Sequence, residues 1–201
     1  MKKLFLITAL ALSAIGVNAQ EQGKIRVGAD LGLALPNAGI GFAADLDARY
    51  NITDNINAGI LLTSFAGVKD ITADINNTLT TMTVGGSSGF LVHGDYYFNK
   101  GTNSFAPFLG AGLGAFGVSN IQITSNDNSS SAGSLSVSDE SKFGGVIRGG
   151  FEAGHFRLGL SYYLIPSSSL YDLTATRVGS TGNSYLNLTL GFYLGGGSWR
   201  K

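Results

Sequence analysis

Between residues 24 and 194 the chain returns eight times to one rhythm, a run of about ten residues in which apolar side chains alternate with polar or small ones. Successive side chains of a β-strand point to opposite faces. Each run therefore predicts a strand with one apolar face. The runs are 24–35, 39–50, 56–64, 88–98, 105–116, 143–154, 156–165 and 185–194. The last is the plainest: Leu186, Leu188, Leu190, Phe192 and Leu194 share one face, and Tyr185, Asn187, Thr189, Gly191 and Tyr193 share the other. Leu61 is an apolar exception on a polar face.

The connections alternate as well. Compact turns at 51–55, 99–104 and 154–155 separate long polar segments at 65–87, 117–142 and 166–184, the second of them rich in Ser, Asn and Asp. Only the first connection of the long set, Pro36-Asn37-Ala38, is short. Short turns at one end and long loops at the other are the pattern of a transmembrane β-barrel, and about ten residues suffice for a tilted membrane strand. The fold class expected is all-β: an eight-stranded antiparallel up-and-down transmembrane β-barrel with short periplasmic turns and three long external loops.

Composition supports a membrane protein of this kind. Charged residues make up only 13% of the chain, and 30 of its 201 residues are glycine. No stretch after the N-terminus reaches the roughly 18 apolar residues of a membrane helix. In lipid the remaining way to pair every backbone group is a closed barrel. Lys2 and Lys3, the apolar run 4–15 and Val17-Asn18-Ala19 read as a secretory signal peptide cleaved after Ala19. The barrel domain is then 20–201. Without Lys2 and Lys3, 11 basic residues face 13 acidic ones, so the mature net charge is about −2 and no nucleic-acid partner is expected. There is no cysteine, hence no disulfide framework and no lipid-modified cysteine anchor.

The apolar face is assigned to the outside by its aromatics. Tyr50, Tyr96, Phe98, Phe105, Phe151, Phe156 and Phe192 would form a belt at the periplasmic rim, and Phe42, Phe90, Phe143 and Tyr162 one at the external rim. A soluble lipocalin-like barrel would reverse the faces. The opposite face, crowded with glycine, suits a narrow interior.

That interior carries Arg26, Asp30, Asp45, Asp47, Arg49, His93, Asp95, Arg148, Glu152 and Arg157. An eight-stranded barrel is just wide enough to be filled by its side chains, and buried charges must pair. A filled interior with an ion-pair network is the expectation; a narrow polar pore is the alternative. Asp45-x-Asp47 is too sparse for a metal site, and salt bridges to arginines are expected instead. Asn126-Asp127-Asn128 lacks the glycine and distal glutamate of a calcium loop. No catalytic residue, metal or cofactor is expected. His155 falls at a periplasmic turn and His93 points inward beside Asp95, so nothing suggests a converging nucleophile, base and orienter.

Pro107-Phe-Leu-Gly-Ala-Gly-Leu-Gly114, the run 144–163 with its two-residue turn, and Gly191-Phe-Tyr-Leu194 make the chain resemble the outer membrane protein A/X-like superfamily of small eight-stranded barrels. The resemblance spans essentially the whole mature chain. It implies an outer-membrane protein of a Gram-negative-type bacterium, exported by the Sec route. It further implies contact with outer-membrane lipid, handling by periplasmic chaperones and the barrel-insertion machinery, and a monomeric state. Family members often end on an aromatic residue, whereas here residues 195–201 follow the last strand. A structural role in the envelope or binding of an external ligand through the loops is the function expected.

Overall fold

The strand alternation is realised in the computed structural model, which describes residues 21–37, 39–74, 79–98, 105–126, 134–171 and 177–196. The signal segment 1–19 lies outside the described residues. The strands are β1 (Ile25–Pro36), β2 (Ile40–Asn51), β3 (Ile56–Asp74), β4 (Leu79–Tyr97), β5 (Phe105–Asn126), β6 (Ser134–Ala153), β7 (Phe156–Leu164), β8 (Ser168–Tyr171), β9 (Arg177–Thr181) and β10 (Tyr185–Gly195). Each of β1 to β6 pairs antiparallel with the next, β7 pairs with β10, and β10 pairs with β1. Eight strands thus close on themselves and no wall strand keeps a free edge. The remaining two, β8 and β9, form a small hairpin that touches β6 through the Val137–Tyr171 pair. No helix occurs among the described residues.

The short turns have local causes. In the β2–β3 turn the Thr53 hydroxyl accepts the amide N–H groups of Asn55 (3.2 Å) and Ile56 (2.9 Å), a side-chain substitute for backbone pairing. In the β6–β7 turn Gly154 has φ 61°, a left-handed conformation that costs a residue without a β-carbon little. At the same rim the segments flanking β1 and β10 meet: the Asn51 side-chain amide donates to the carbonyls of Glu21 and Gly196 (3.0 Å each), and the Gly196 amide donates to the Ile25 carbonyl (3.1 Å).

The long segments differ from the sequence reading. Residues 65–74 and 79–87 continue β3 and β4, and 117–126 and 134–142 continue β5 and β6. The segment 166–184 contains β8 and β9. What looked like loops are largely wall strands projecting past the membrane-sized part of the barrel. There the two faces no longer contrast cleanly: Phe65 is buried inside, Ser64 and Ser119 face out, and the β3–β4 register shifts between Val68 and Asp70, so the sequence pattern fades while the backbone ladder continues.

Inside and outside are the reverse of a water-soluble fold. Leu31 (70% exposed), Phe42 (77%) and Phe143 (69%) face outward, whereas Arg26, Arg49 and Arg157 are each 1% exposed. The outward aromatics fall in two rings. Tyr50, Tyr96, Phe98, Phe105, Phe151 and Phe156 mark the short-turn end, with Phe192 among them; Phe42, Phe90, Phe143 and Tyr162 mark the other. Between the rings the outer surface is Leu, Ile, Val, Ala and Gly.

Candidate functional site

The lumen is filled in layers. Nearest the short-turn end lies a charged layer in which every arginine meets an acid. Arg26 Nη1 bonds Glu152 Oε2 at 2.7 Å, joining β1 to β6 across the interior. Arg49 Nη1 bonds Asp95 Oδ2 at 2.7 Å, and its other terminal nitrogen bonds Asp47. Arg157 bonds Asp30 (Nη2 to Oδ2, 2.6 Å) and Asp47 (3.0 Å) and stands 3.6 Å from Glu152. Arg148 Nε lies 3.7 Å from Asp95 Oδ1, its guanidinium 5.6 Å from the centre of the Phe108 ring.

Strand pairing explains why the bonds run across the lumen. Arg26 stands opposite Arg49, and Asp30 opposite Asp45, in the β1–β2 ladder. Like charges face each other along the wall, so Arg26 takes its acid from β6 and Asp30 its arginine from β7, while Arg49 is shared between Asp95 of β4 and Asp47 of its own strand. Space for this comes from glycine. Asp30 stands opposite Gly191, Asp47 opposite Gly28 and Asp95 opposite Gly110. A β-carbon at Gly28 would lie 2.6 Å from Asp47 Oδ1 and 2.9 Å from Arg157 Nη2; one at Gly191 or Gly110 would collide with the Asp30 or Asp95 carboxylate.

Tyr97 is the hub of the layer. Its hydroxyl donates to Glu152 Oε1 (2.8 Å) and accepts from Arg49 Nη1 (2.9 Å) and from Arg26. The Arg26 guanidinium also lies between two rings, 4.8 Å from the centre of Tyr97 and 4.9 Å from that of Tyr193. Tyr193 in turn donates to the Gly154 carbonyl (2.6 Å), and His155 Nδ1 lies 3.2 Å from the Tyr193 carbonyl.

Above the charges lies an aromatic and aliphatic layer. Phe65 of β3 stacks on Tyr185 of β10 (4.8 Å between centres), Tyr185 on Tyr163 of β7 (4.8 Å), and Tyr163 meets Phe116 of β5 edge-on (6.2 Å). Four strands around the ring are bridged by one row of rings. Leu61 and Leu91, cross-strand partners, are buried in the same cluster with Val118 and Val146. The Tyr163 hydroxyl couples the layers by donating to Asp45 Oδ2 (3.1 Å).

All ten inward residues expected to form the network lie inside the barrel, but they do not all join it as expected. Asp47 is salt-bridged to arginine; Asp45 is not. Among the described residues the Asp45 carboxylate takes hydrogen bonds from Tyr163 and from Asn187 (3.4 Å), and no arginine stands within ion-pair distance. The reason is height in the barrel: Asp45 sits two residues above Asp47, level with the tyrosines. His93 Nδ1 is 3.6 Å from Asp95 Oδ2, too long for a hydrogen bond. No grouping of three or more His, Cys, Asp or Glu suited to a metal occurs among the described residues; Asp127 and Asn128 lie outside them. The aromatic layer and the Tyr97 hub were not foreseen. Leu61 and Tyr97 stood on the inner face of their runs, and that was the available signal.

No family model matches the sequence, and no curated protein matches it. Among solved structures the chain is similar to the N-terminal β-barrel domain of Pseudomonas aeruginosa OprF, with 17% identity over 87% of this chain and 100% of that one and a TM-score of 0.45. A major outer membrane protein from Thermus thermophilus matches at 14% identity over 86% and 98%, TM-score 0.49. The outer membrane protein OprG from Pseudomonas aeruginosa matches at 13% over 88% and 98%, TM-score 0.48. At such identities the likeness is one of fold alone.

Proposed function

We propose that this chain is an integral outer-membrane barrel with a lumen sealed by its own side chains. Its role is then carried by the wall and the projecting strands: envelope integrity, or contact with a ligand outside the cell. The observation behind this reading is the row Phe65–Tyr185–Tyr163–Phe116 lying over cross-lumen ion pairs, an apolar layer on a charged one. Ions would have to part both. The exposed Leu, Ile and Phe surface between two aromatic rings supports a lipid environment. With the short turns in the periplasm, the projecting strands point outward. Sec-type export, assisted insertion and a monomeric barrel complete the proposal.

An enzymatic reading draws no support from His93: neither ring nitrogen has a hydrogen-bond partner among the described residues. Recording across planar bilayers tests the sealed lumen. No reproducible conductance is expected, and a conductance that changes with substitution of Arg148 or Asp95 would establish the pore instead. Trimming the projecting hairpins, followed by adhesion assays, separates envelope support from surface binding; adhesion that is unchanged removes the binding role.

A further inference from the structure

Lys69 occupies an unusual place. It lies on β3 past the ring of Phe42, Phe90 and Phe143, in the projecting part of the barrel, and points inward, 3% exposed. Its ammonium donates to the side-chain oxygens of Asn120 on β5 (2.6 Å) and Asn183 (2.9 Å), the latter in the segment that enters β10. Asn120 Nδ2 also donates to Asn183 Oδ1 (3.3 Å). Asn183 passes the connection on: its Nδ2 donates to the Pro166 carbonyl (2.6 Å) and to the Ser168 hydroxyl (2.9 Å), in the segment that leaves β7.

In the closed ring β3 and β7 are diametrically opposed, four strands apart in either direction. Lys69 holds Asn183 at the entry to β10, three strands away, and through Asn183 the chain just after β7, so the linkage reaches over the lumen. The two described legs of this excursion, 165–171 and 177–184, are joined at their roots by paired hydrogen bonds between Ser184 and Ile165 (3.1 Å each). They are held a second time from β6, where Glu140 Oε1 accepts the Ser169 amide (3.3 Å). Ser168, Leu170 and Asn183 are all buried although they belong to an external excursion.

We propose that the two described legs between β7 and β10, 165–171 and 177–184, form a lid, closed across the lumen at the long-loop end and pinned there by Lys69 through Asn120 and Asn183. It is a third closure, separate from the aromatic and charged layers below it, and it stands whether or not those layers conduct.

The pin is built to be adjustable. Among the described residues no carboxylate reaches Lys69, and the groups around it, Phe65, Gly85, Asn120 and Asn183, do not titrate. Burial pushes its pKa down to about 8. A neutral amine keeps two N–H donors, enough for both carboxamide oxygens, whereas a buried ammonium with no counter-charge is drawn towards water. Protonation therefore loosens the lid without abolishing its hydrogen bonds.

Because the chain has no cysteine, single introduced thiols report on the lid without background. Leu170→Cys probes a buried position and Ser180→Cys an exposed one on the same hairpin. In the detergent-extracted protein, labelling with a charged maleimide at Leu170→Cys is expected to run about ten-fold or more slower than at Ser180→Cys. Adding Lys69→Met or Asn183→Ala should bring the two within about two-fold. Heat-dependent gel mobility is followed in every variant, so that lid opening is not confused with loss of the barrel; if Lys69→Met loses the folded band, Asn183→Ala carries the test. Equal labelling at both positions in the parent barrel would overturn the lid. Slow labelling at Leu170→Cys that survives Asn183→Ala in a folded barrel would overturn the pin.

Discussion

Asp30 and Gly191 stand directly across the β1–β10 ladder, and the space a β-carbon would take at 191 is filled by the Asp30 carboxylate. The closing strand thus holds an inward glycine because its neighbour across the seam holds a charge that must reach Arg157. Gly191→Ala should displace that ion pair and destabilise the barrel by about 1–3 kcal/mol, the usual result of overpacking a full core. Gly117→Ala, where a β-carbon meets nothing within 4 Å, is the matched control and should stay within about 0.5 kcal/mol. Urea unfolding in lipid vesicles measures both.

Glu152 and Tyr97 anchor the charged layer together. Glu152→Gln leaves Arg26 without its acid and should cost about 3–5 kcal/mol, as removing one partner of a buried pair does. Tyr97→Phe removes one donor and acceptor and should cost about 1–3 kcal/mol. The double substitution should fall short of the sum by at least about 0.5 kcal/mol, since the two share the Arg26 and Arg49 bonds. The same unfolding assay on the full cycle checks this; strict additivity would separate hub from network.

The membrane part of the fold was legible because lipid on one side and a crowded lumen on the other impose a two-residue alternation. Leu33 between Gly32 and Ala34 could be assigned a face by counting. The projecting parts were not legible, since past Ser64 the inward side turns mixed, with Phe65 beside Lys69 and Ser87, and the β3–β4 register shifts between Val68 and Asp70, which breaks the two-residue count. The inward charges could be named one by one, but not their partners. Arg26 binds Glu152, 126 residues away, and only ring closure brings them together. Asp45 shows the limit plainly: its sequence suggested an arginine partner, and its height in the barrel gave it Tyr163 and Asn187.

The outward face should reject charge in proportion to depth. Leu31 lies midway along β1 and Ile25 at its short-turn rim, both exposed. Leu31→Arg should destabilise by about 2–4 kcal/mol in vesicles and Ile25→Arg by about 0–1 kcal/mol. Equal effects at the two positions would speak against a lipid-facing wall.

Lys69 sets a pH dependence whose sign follows from its lowered pKa. The unfolded group binds its proton up to about pH 10.4, the folded one only up to about 8, so the unfolded state holds more protons in between. The lid should therefore become more firmly seated as pH rises through that window and looser as pH falls towards 8. The ratio of labelling at Leu170→Cys to that at Ser180→Cys, which removes the thiols' own pH dependence, should fall from pH 7 to pH 9.5. Lys69→Met should flatten it.

Gel mobility before and after boiling tests most directly whether this chain is a membrane barrel. Extracted from membranes in detergent and loaded unheated, the protein should run as a compact band that shifts on boiling, because a closed eight-strand ladder stays folded in dodecyl sulfate until heated. A protein recovered in the soluble fraction, with one mobility at both temperatures, would contradict the account.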